Sequence, residues 1–139
     1  MKKNSNSYVL DTSAWLTLIE DEAGADIVED LLEKAHQGSI EILVSFMSFM
    51  EVFYITLQER DIDEARTRLN LMGSLPITRA ESTESLALIA GRIKARYRLS
   101  VADAWIAALA QERGSVLLHK DPEFEQLEEV VAAQKLPYK

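Results

Sequence analysis

Four carboxylates stand where short apolar runs end or where the helical stretches beside them begin. Asp11 follows YVL, Glu51 lies in the stretch after EILVS, Asp103 sits in LSVADAWIAALA, and Asp121 follows SVLLHK. Each has an ordinary use. Asp11 could cap a helix through Ala14 and Trp15, Glu51 completes Ser48-x-x-Glu51, and Asp103 completes Ser100-x-x-Asp103. Asp121 before Pro122 has the form of a cap followed by proline at the first helical position. The other use is collective. Independent caps would scatter over both ends of a sheet, whereas this order of elements brings all four to one end. Carboxylates gathered there are costly unless cations neutralise them or some are protonated. An all-oxygen set of this kind suits a hard divalent ion, Mg²⁺ or Mn²⁺.

The elements that would position these acids alternate. YVL (8–10) reads as a first strand, with a short helix around 13–19. Ile27, Val28, Leu31, Leu32 and Ala35 share a helical face that Gly38 ends. IEILVS (40–45) is a second strand, followed by a helix through MEVFYITLQER; Ile62, Ala65, Leu69 and Met72 stripe another, ended at Gly73. SLPI (74–77) reads as an edge strand because Pro76 cannot donate to a ladder. Thr78 and Glu81 have capping-box spacing before the face Leu86, Ile89, Ala90, Ile93 and Tyr97. Ser100 opens a helix that Gly114 ends, SVLL (115–118) is a buried strand, and PEFEQL and EEVV supply two last short elements. Strands separated by helices predict an α/β fold: three layers, α/β/α, around a mainly parallel sheet of about four to five strands. Ligands of such sheets bind beyond the carboxyl ends of the strands. The helix carrying Asp103 runs antiparallel to SVLL, so its start lies at the end where the other three acids sit.

Composition sets bounds. With 139 residues, 47% hydrophobic, and few glycines and prolines, the chain reads as one domain over 1–139. No cysteine is present, so neither a disulfide framework nor a thiolate metal site is available. MKKNSNSYVL lacks the apolar run of a signal peptide, and nowhere do about 18 uninterrupted apolar residues occur, so the expectation is a cytoplasmic protein without a membrane segment. A net charge of −8 argues against broad attraction to nucleic acid. Any such role needs the sign reversed locally.

At the four acids the sequence resembles PIN-domain ribonucleases, and among these the small VapC-like toxins of type II toxin–antitoxin pairs. The resemblance rests on Asp11 in VLDTSAW, Glu51 in SFMSFMEVF, Asp103 in LSVADAWIAALA and Asp121 in LLHKDPEF, in order and over nearly the whole chain. It implies a parallel sheet between helices and cleavage of RNA that depends on Mg²⁺ or Mn²⁺, one or two ions. It also implies a homodimer, and an antitoxin whose tail occupies a groove beside the active site. On that basis Asp11 and Asp103 are assigned as central metal ligands, with Glu51 and Asp121 completing the set. Two ions of charge +2 would move the formal charge from −8 to −4, with the change concentrated where a phosphate must sit. A metal-activated water needs no 2′-hydroxyl, and the resemblance implies products with 5′-phosphate and 3′-hydroxyl ends.

Other residues carry two readings each. Ser13 is expected to orient Asp11, and Thr12 to act as a cap. Many family members carry threonine or serine two residues before the last acid, where this chain has His119. That histidine reads as a partly exposed strand-end residue, or as a partner for a phosphate or Asp121. Glu123 could assist the metal or merely favour the helix dipole. Arg92, Lys94, Arg96 and Arg98, with Lys120, are candidates for guiding RNA; basic residues at a helix C-terminus also complement its dipole. Met50, Phe53 and Tyr54, with Trp15 and Leu18, supply either core or a surface for an antitoxin or a second subunit. Two rivals stand. A phosphoacceptor receiver domain also gathers acids at strand ends, but SYVLDTS lacks its acid pair and SLPITRAES offers no aspartate. A PIN-like module that binds RNA or protein without cleaving is the other, and the retention of all four acids speaks against it.

Overall fold

A computed structural model describes residues 4–139; Met1, Lys2 and Lys3, part of the segment read above for a leader, lie outside it. Five strands form one sheet: β1 (Asn4–Leu10), β2 (Glu41–Ser45), β3 (Thr78–Ala80), β4 (Ser115–His119) and β5 (Ala133–Lys135). Their order is β3-β2-β1-β4-β5 and every pairing is parallel. The helices are α1 (Thr12–Ile19), α2 (Ala25–His36), α3 (Phe46–Glu59), α4 (Ile62–Ser74), α5 (Glu84–Arg96) and α6 (Val101–Arg113), with a 3-10 helix at Pro122–Leu127.

The strand residues alternate between two apolar layers, as a sheet covered on both faces requires. Leu10, Ile42, Val44 and Leu118 pack with Ala14, Trp15, Val28, Leu31, Val52 and Met72 of α1 to α4. Val9, Leu43 and Leu117 pack on the other side with Leu86, Ala90 and Ile93 of α5 and the alanine-rich face of α6. Small side chains at Ala104, Ala107, Ala108 and Ala110 let α6 lie close against the strands. The three-layer α/β/α prediction therefore holds, with five parallel strands.

Local corrections have physical causes. The third strand is Thr78–Ala80, not 74–77: Pro76 has no N–H to give, Ile77 turns back on Leu75 O, and the edge of β2 pairs with the residues beyond. Thr78 is thereby used in the sheet and Glu81 pairs with Arg79, so α5 starts later, capped by Thr83 Oγ1 on Leu86 N at 3.1 Å. Gly73 lies inside α4, whose C-cap is Leu75. The helix bearing Glu51 is capped by Ser45, which leaves Ser48 buried in its first turn rather than capping. PEFEQL is the 3-10 helix, and the last strand is Ala133–Lys135 in place of EEVV. Gly38 (φ 81°) and Gly114 (φ 63°) do end α2 and α6 in the left-handed conformation expected of them. No helix among the described residues is long and apolar enough to cross a membrane.

From β1 the chain works outward through β2 to β3, then returns to place β4 on the other side of β1. The order reverses between β1 and β4. There the carboxyl ends of two neighbouring strands lead their chains apart and leave a crevice. Asp11 follows one of those strands and Asp121 the other.

Candidate metal centre

Asp11 is the N-cap of α1, and its backbone N–H donates to Leu118 O of β4 at 3.0 Å. Its Oδ2 accepts from Ser13 N at 3.0 Å and from the Ser13 hydroxyl. Ser13 Oγ in turn accepts from Lys120 N at 2.9 Å, which ties the exits of β1 and β4 together. Asp11 is 3% exposed, and its Oδ1 is buried with no hydrogen-bond partner among the described residues. A buried carboxylate oxygen without a partner is costly. Burial pushes this carboxyl up to about 6; Glu51 and Asp121 act in the same direction, and the bonds from Ser13 oppose them.

Glu51 projects from α3 and accepts from Thr12 Oγ1 at 2.7 Å, with Ser48 Oγ 3.0 Å from the same hydroxyl. Burial raises its pKa and the bond from Thr12 lowers it. Asp103 sits in the first turn of α6, where its N–H is capped by Ser100 Oγ at 3.1 Å. Desolvation comes first in raising its carboxyl to about 7, followed by the charges of Asp11, Asp121 and Glu51. Asp121 caps the 3-10 helix through Glu123 N at 3.0 Å, while its own N–H donates to His119 Nδ1 at 3.1 Å.

The structure thus brings all four predicted acids to one end of the sheet and couples their charges. It groups them differently from the sequence expectation. One carboxylate oxygen each of Asp103, Asp121 and Glu123 lie within 4.8 Å of one another. Glu123 therefore stands in the tightest cluster, with Asp11 and Glu51 outside it but electrostatically linked to Asp103. The donors are all oxygen, three can converge, and Asp11 Oδ1 is buried without a protein donor; this set fits a hard divalent cation. Capping and ligation are not exclusive here, because Asp11 and Asp121 each use one oxygen as a cap.

A match to the PIN domain family model spans residues 8–130. The chain belongs to the PIN-domain family. A search of the curated proteins finds no match. Among solved structures, this PIN domain is similar to a chain of the VapBC2 complex from Rickettsia felis bound to a DNA fragment from its promoter: TM-score 0.75, 13% identity, covering 94% of this chain and 99% of that one. It is also similar to a chain of the DNA-bound VapBC of Salmonella typhimurium, TM-score 0.74 and 19% identity, covering 97% and 98%. A third is VapC20 of Mycobacterium tuberculosis, described as a sarcin-ricin loop cleaving toxin, TM-score 0.67 and 17% identity, covering 86% and 93%. At these identities the likeness establishes the fold.

Several expectations for the surrounding residues change. His119 is 2% exposed rather than at the surface, and lies beside the rings of Phe124 and Tyr138 at 5.1 and 6.3 Å. Burial lowers its pKa, so it stays a neutral ring whose Nδ1 accepts. Lys120 is not free to guide RNA: its Nζ reaches Ala23 O at 3.0 Å and Glu22 at 3.4 Å. Trp15 is fully buried core, and no part of a surface. Leu18 and Phe53 are half-buried, while Met50 and Tyr54 are exposed and continue to Leu57 along one side of α3. An open groove of about 630 Å³ runs beside the acids between α1, α3 and the C-terminal residues, lined in part by Ser13, Leu16, Ile55, Lys120 and Tyr138. Thr12, read only as a cap, holds Glu51. Its adjacency to Asp11 was a signal, but the partner lies 39 positions away.

Proposed function

We propose that this PIN domain is a divalent-metal-dependent endoribonuclease and the toxin of a type II toxin–antitoxin pair. The observation that carries the catalytic part is the buried Oδ1 of Asp11, without a hydrogen-bond partner among the described residues, in a set of acids whose carboxyl groups are pushed up first by burial and then by one another's charge. Such a set is relieved by protonation or by a bound cation, and at neutral pH a cation relieves it without neutralising the carboxylates by protons. Asp11, Asp103, Asp121, Glu123 and Glu51 would hold Mg²⁺ or Mn²⁺, and a bound ion supplies a water of lowered pKa and charge neutralisation at the phosphate. The protein's own part is positional. Ser13 fixes the Asp11 carboxylate and the start of the β4 exit, Thr12 fixes Glu51, Ser100 fixes the turn bearing Asp103, and His119 fixes the Asp121 backbone. Attack of water on the phosphorus with cleavage of the P–O3′ bond, the 3′ oxygen leaving with a proton, would give a 5′-phosphate and a 3′-hydroxyl.

The partner reading rests on the fold shared with chains of VapBC complexes, a family of toxin-antitoxin systems, together with the exposed apolar side of α3 and the adjacent groove. An antitoxin segment and a second copy of the chain are assigned to these surfaces.

Purified protein incubated with single-stranded and structured RNA is expected to cleave with Mg²⁺ or Mn²⁺ and not with EDTA. Asp11→Asn should reduce the rate at least ~100-fold, since the loss of one preorganised charged group at a reacting phosphate is of that order. Gel analysis with end-specific enzymes checks the 5′-phosphate. Cleavage that survives both EDTA and Asp11→Asn would overturn the mechanism, and stable RNA binding without any cleavage would favour the binding module.

A further inference from the structure

On the opposite face from α1 to α4, a cavity of about 310 Å³ opens between α5, α6 and the turn before β5. Its floor is apolar, with Ile89, Ile93, Tyr97 and Val130, and Arg92 and Arg96 stand on its rim one helical turn apart. We propose that this cavity is a second RNA subsite, which takes a base of the substrate strand away from the cleaved bond while Arg92 and Arg96 hold the adjoining phosphates. The proposal rests on the reading of this protein as a ribonuclease.

Three observations carry it. First, Arg92, Lys94, Arg96 and Arg98 enter no ion pair among the described residues, although the chain has 23 acids against 15 basic residues. Cations left unpaired on an acidic protein are available to an anion. Second, complementing the helix dipole does not account for them all. Lys94 and Arg96 occupy the last turn of α5, but Arg92 lies before it, where the dipole effect has faded. What Arg92 shares with Arg96 is the cavity. Third, this patch is fixed relative to the acids. Gln126 accepts from Arg98 N at 3.0 Å and donates to Arg98 O at 3.2 Å and to Glu123 O at 2.8 Å. The end of α5 is thereby clamped to the turn that carries Asp121 and Glu123. A strand leaving those acids over Gln126 meets the arginines next. An apolar floor with an aromatic ring and a cationic rim is the chemistry that holds single-stranded nucleic acid, by stacking and by phosphate contact.

The test uses the Asp11→Asn protein as a non-cleaving background and a 5′-fluorescein-labelled 12-nucleotide single-stranded RNA of mixed sequence as probe. Adding Arg92→Ala and Arg96→Ala should weaken binding about tenfold and lower the slope of log Kd against log salt by about 1.4, the value for two single-strand phosphate contacts. In the cleaving protein, the same pair should raise KM for the 12-mer and leave kcat unchanged. Arg113→Ala, at the far end of α6, controls for the loss of a surface arginine elsewhere and should change neither. Unchanged affinity and salt slope, with cleavage intact, overturns the second subsite and leaves the nuclease reading standing. A loss of affinity accompanied by a lower mass in light scattering assigns the arginines to self-association and overturns it too. Wild-type protein that neither binds nor cleaves RNA overturns both.

Discussion

His119 shows how a single side chain can be misjudged from its neighbours. A histidine between a buried strand and two charged residues reads as surface, yet its ring fills the end of β4 against Phe124. Its pKa is lowered by burial, so the accepting Nδ1 is retained at neutral pH and the Asp121 backbone N–H keeps its partner. That bond holds the residue where the chain leaves β4 for the acidic turn. Replacing the ring by leucine would keep the apolar contact and remove the acceptor. His119→Leu is therefore expected to weaken Mn²⁺ binding about tenfold or more, the usual cost of losing a group that orients a ligand. His119→Asn, which restores an acceptor at the same distance along the side chain, should recover most of it. Titration of free Mn²⁺ by electron paramagnetic resonance measures both without reference to activity, and equal affinities in the two variants would remove this role. Glu123 belongs to the same scale: an exposed first-turn acid in the sequence, it proves to share the Asp103 and Asp121 cluster because the 3-10 helix turns it back toward α6.

At the scale of elements, local rules predicted most helices and failed where two local options competed. Ser100-x-x-Asp103 capped as read, since nothing else claimed Ser100. Thr78-x-x-Glu81 did not, because the open edge of β2 recruited Thr78 into the sheet and Thr83 was available five residues later. Arg68 is a further case that periodicity could not resolve. It lies in α4 as an apparently polar interruption, yet it is 5% exposed and ties three helices together: Glu20 after α1 at 2.8 Å, Thr56 of α3 at 3.3 Å, and Glu64 of its own helix at 3.5 Å. Arg68→Ala is expected to cost about 2 kcal/mol in urea unfolding, below the ~3–5 kcal/mol of a fully buried pair because Glu20 and Glu64 can turn to water. A loss under ~0.5 kcal/mol would mean the pairs are no better than those at the surface.

For the whole molecule, the decisive fact is that folding concentrates carboxylates which the unfolded chain keeps apart. Asp11, with an ordinary value of 3.8, is raised to about 6 and Asp103 to about 7, so the native metal-free protein binds more protons than the unfolded chain between about pH 4 and 7. Stability from these groups is present at low pH and is lost as pH rises through their folded values. For Asp11 the loss is on the order of 2–3 kcal/mol. Metal-free protein in EDTA should therefore show a falling contribution to its urea midpoint from pH 4.5 to 7.5. Asp11→Asn, which keeps the capping oxygen and removes the charge, should flatten that fall and be more stable than wild type at pH 7.5 while failing to cleave. A variant less stable than wild type at pH 7.5 in EDTA would contradict the raised pKa. The sequence by itself determined the α/β alternation, the two apolar layers, and the four acids at strand exits and helix starts, because those follow from periodicity, capping and chain direction. Only the tertiary structure decided that Thr12 grips Glu51, that Lys120 is occupied by Glu22 and Ala23, that Trp15 is core, and that Glu123 joins Asp103 and Asp121. Each depends on contacts between elements distant in the chain, and such contacts leave no local pattern to read.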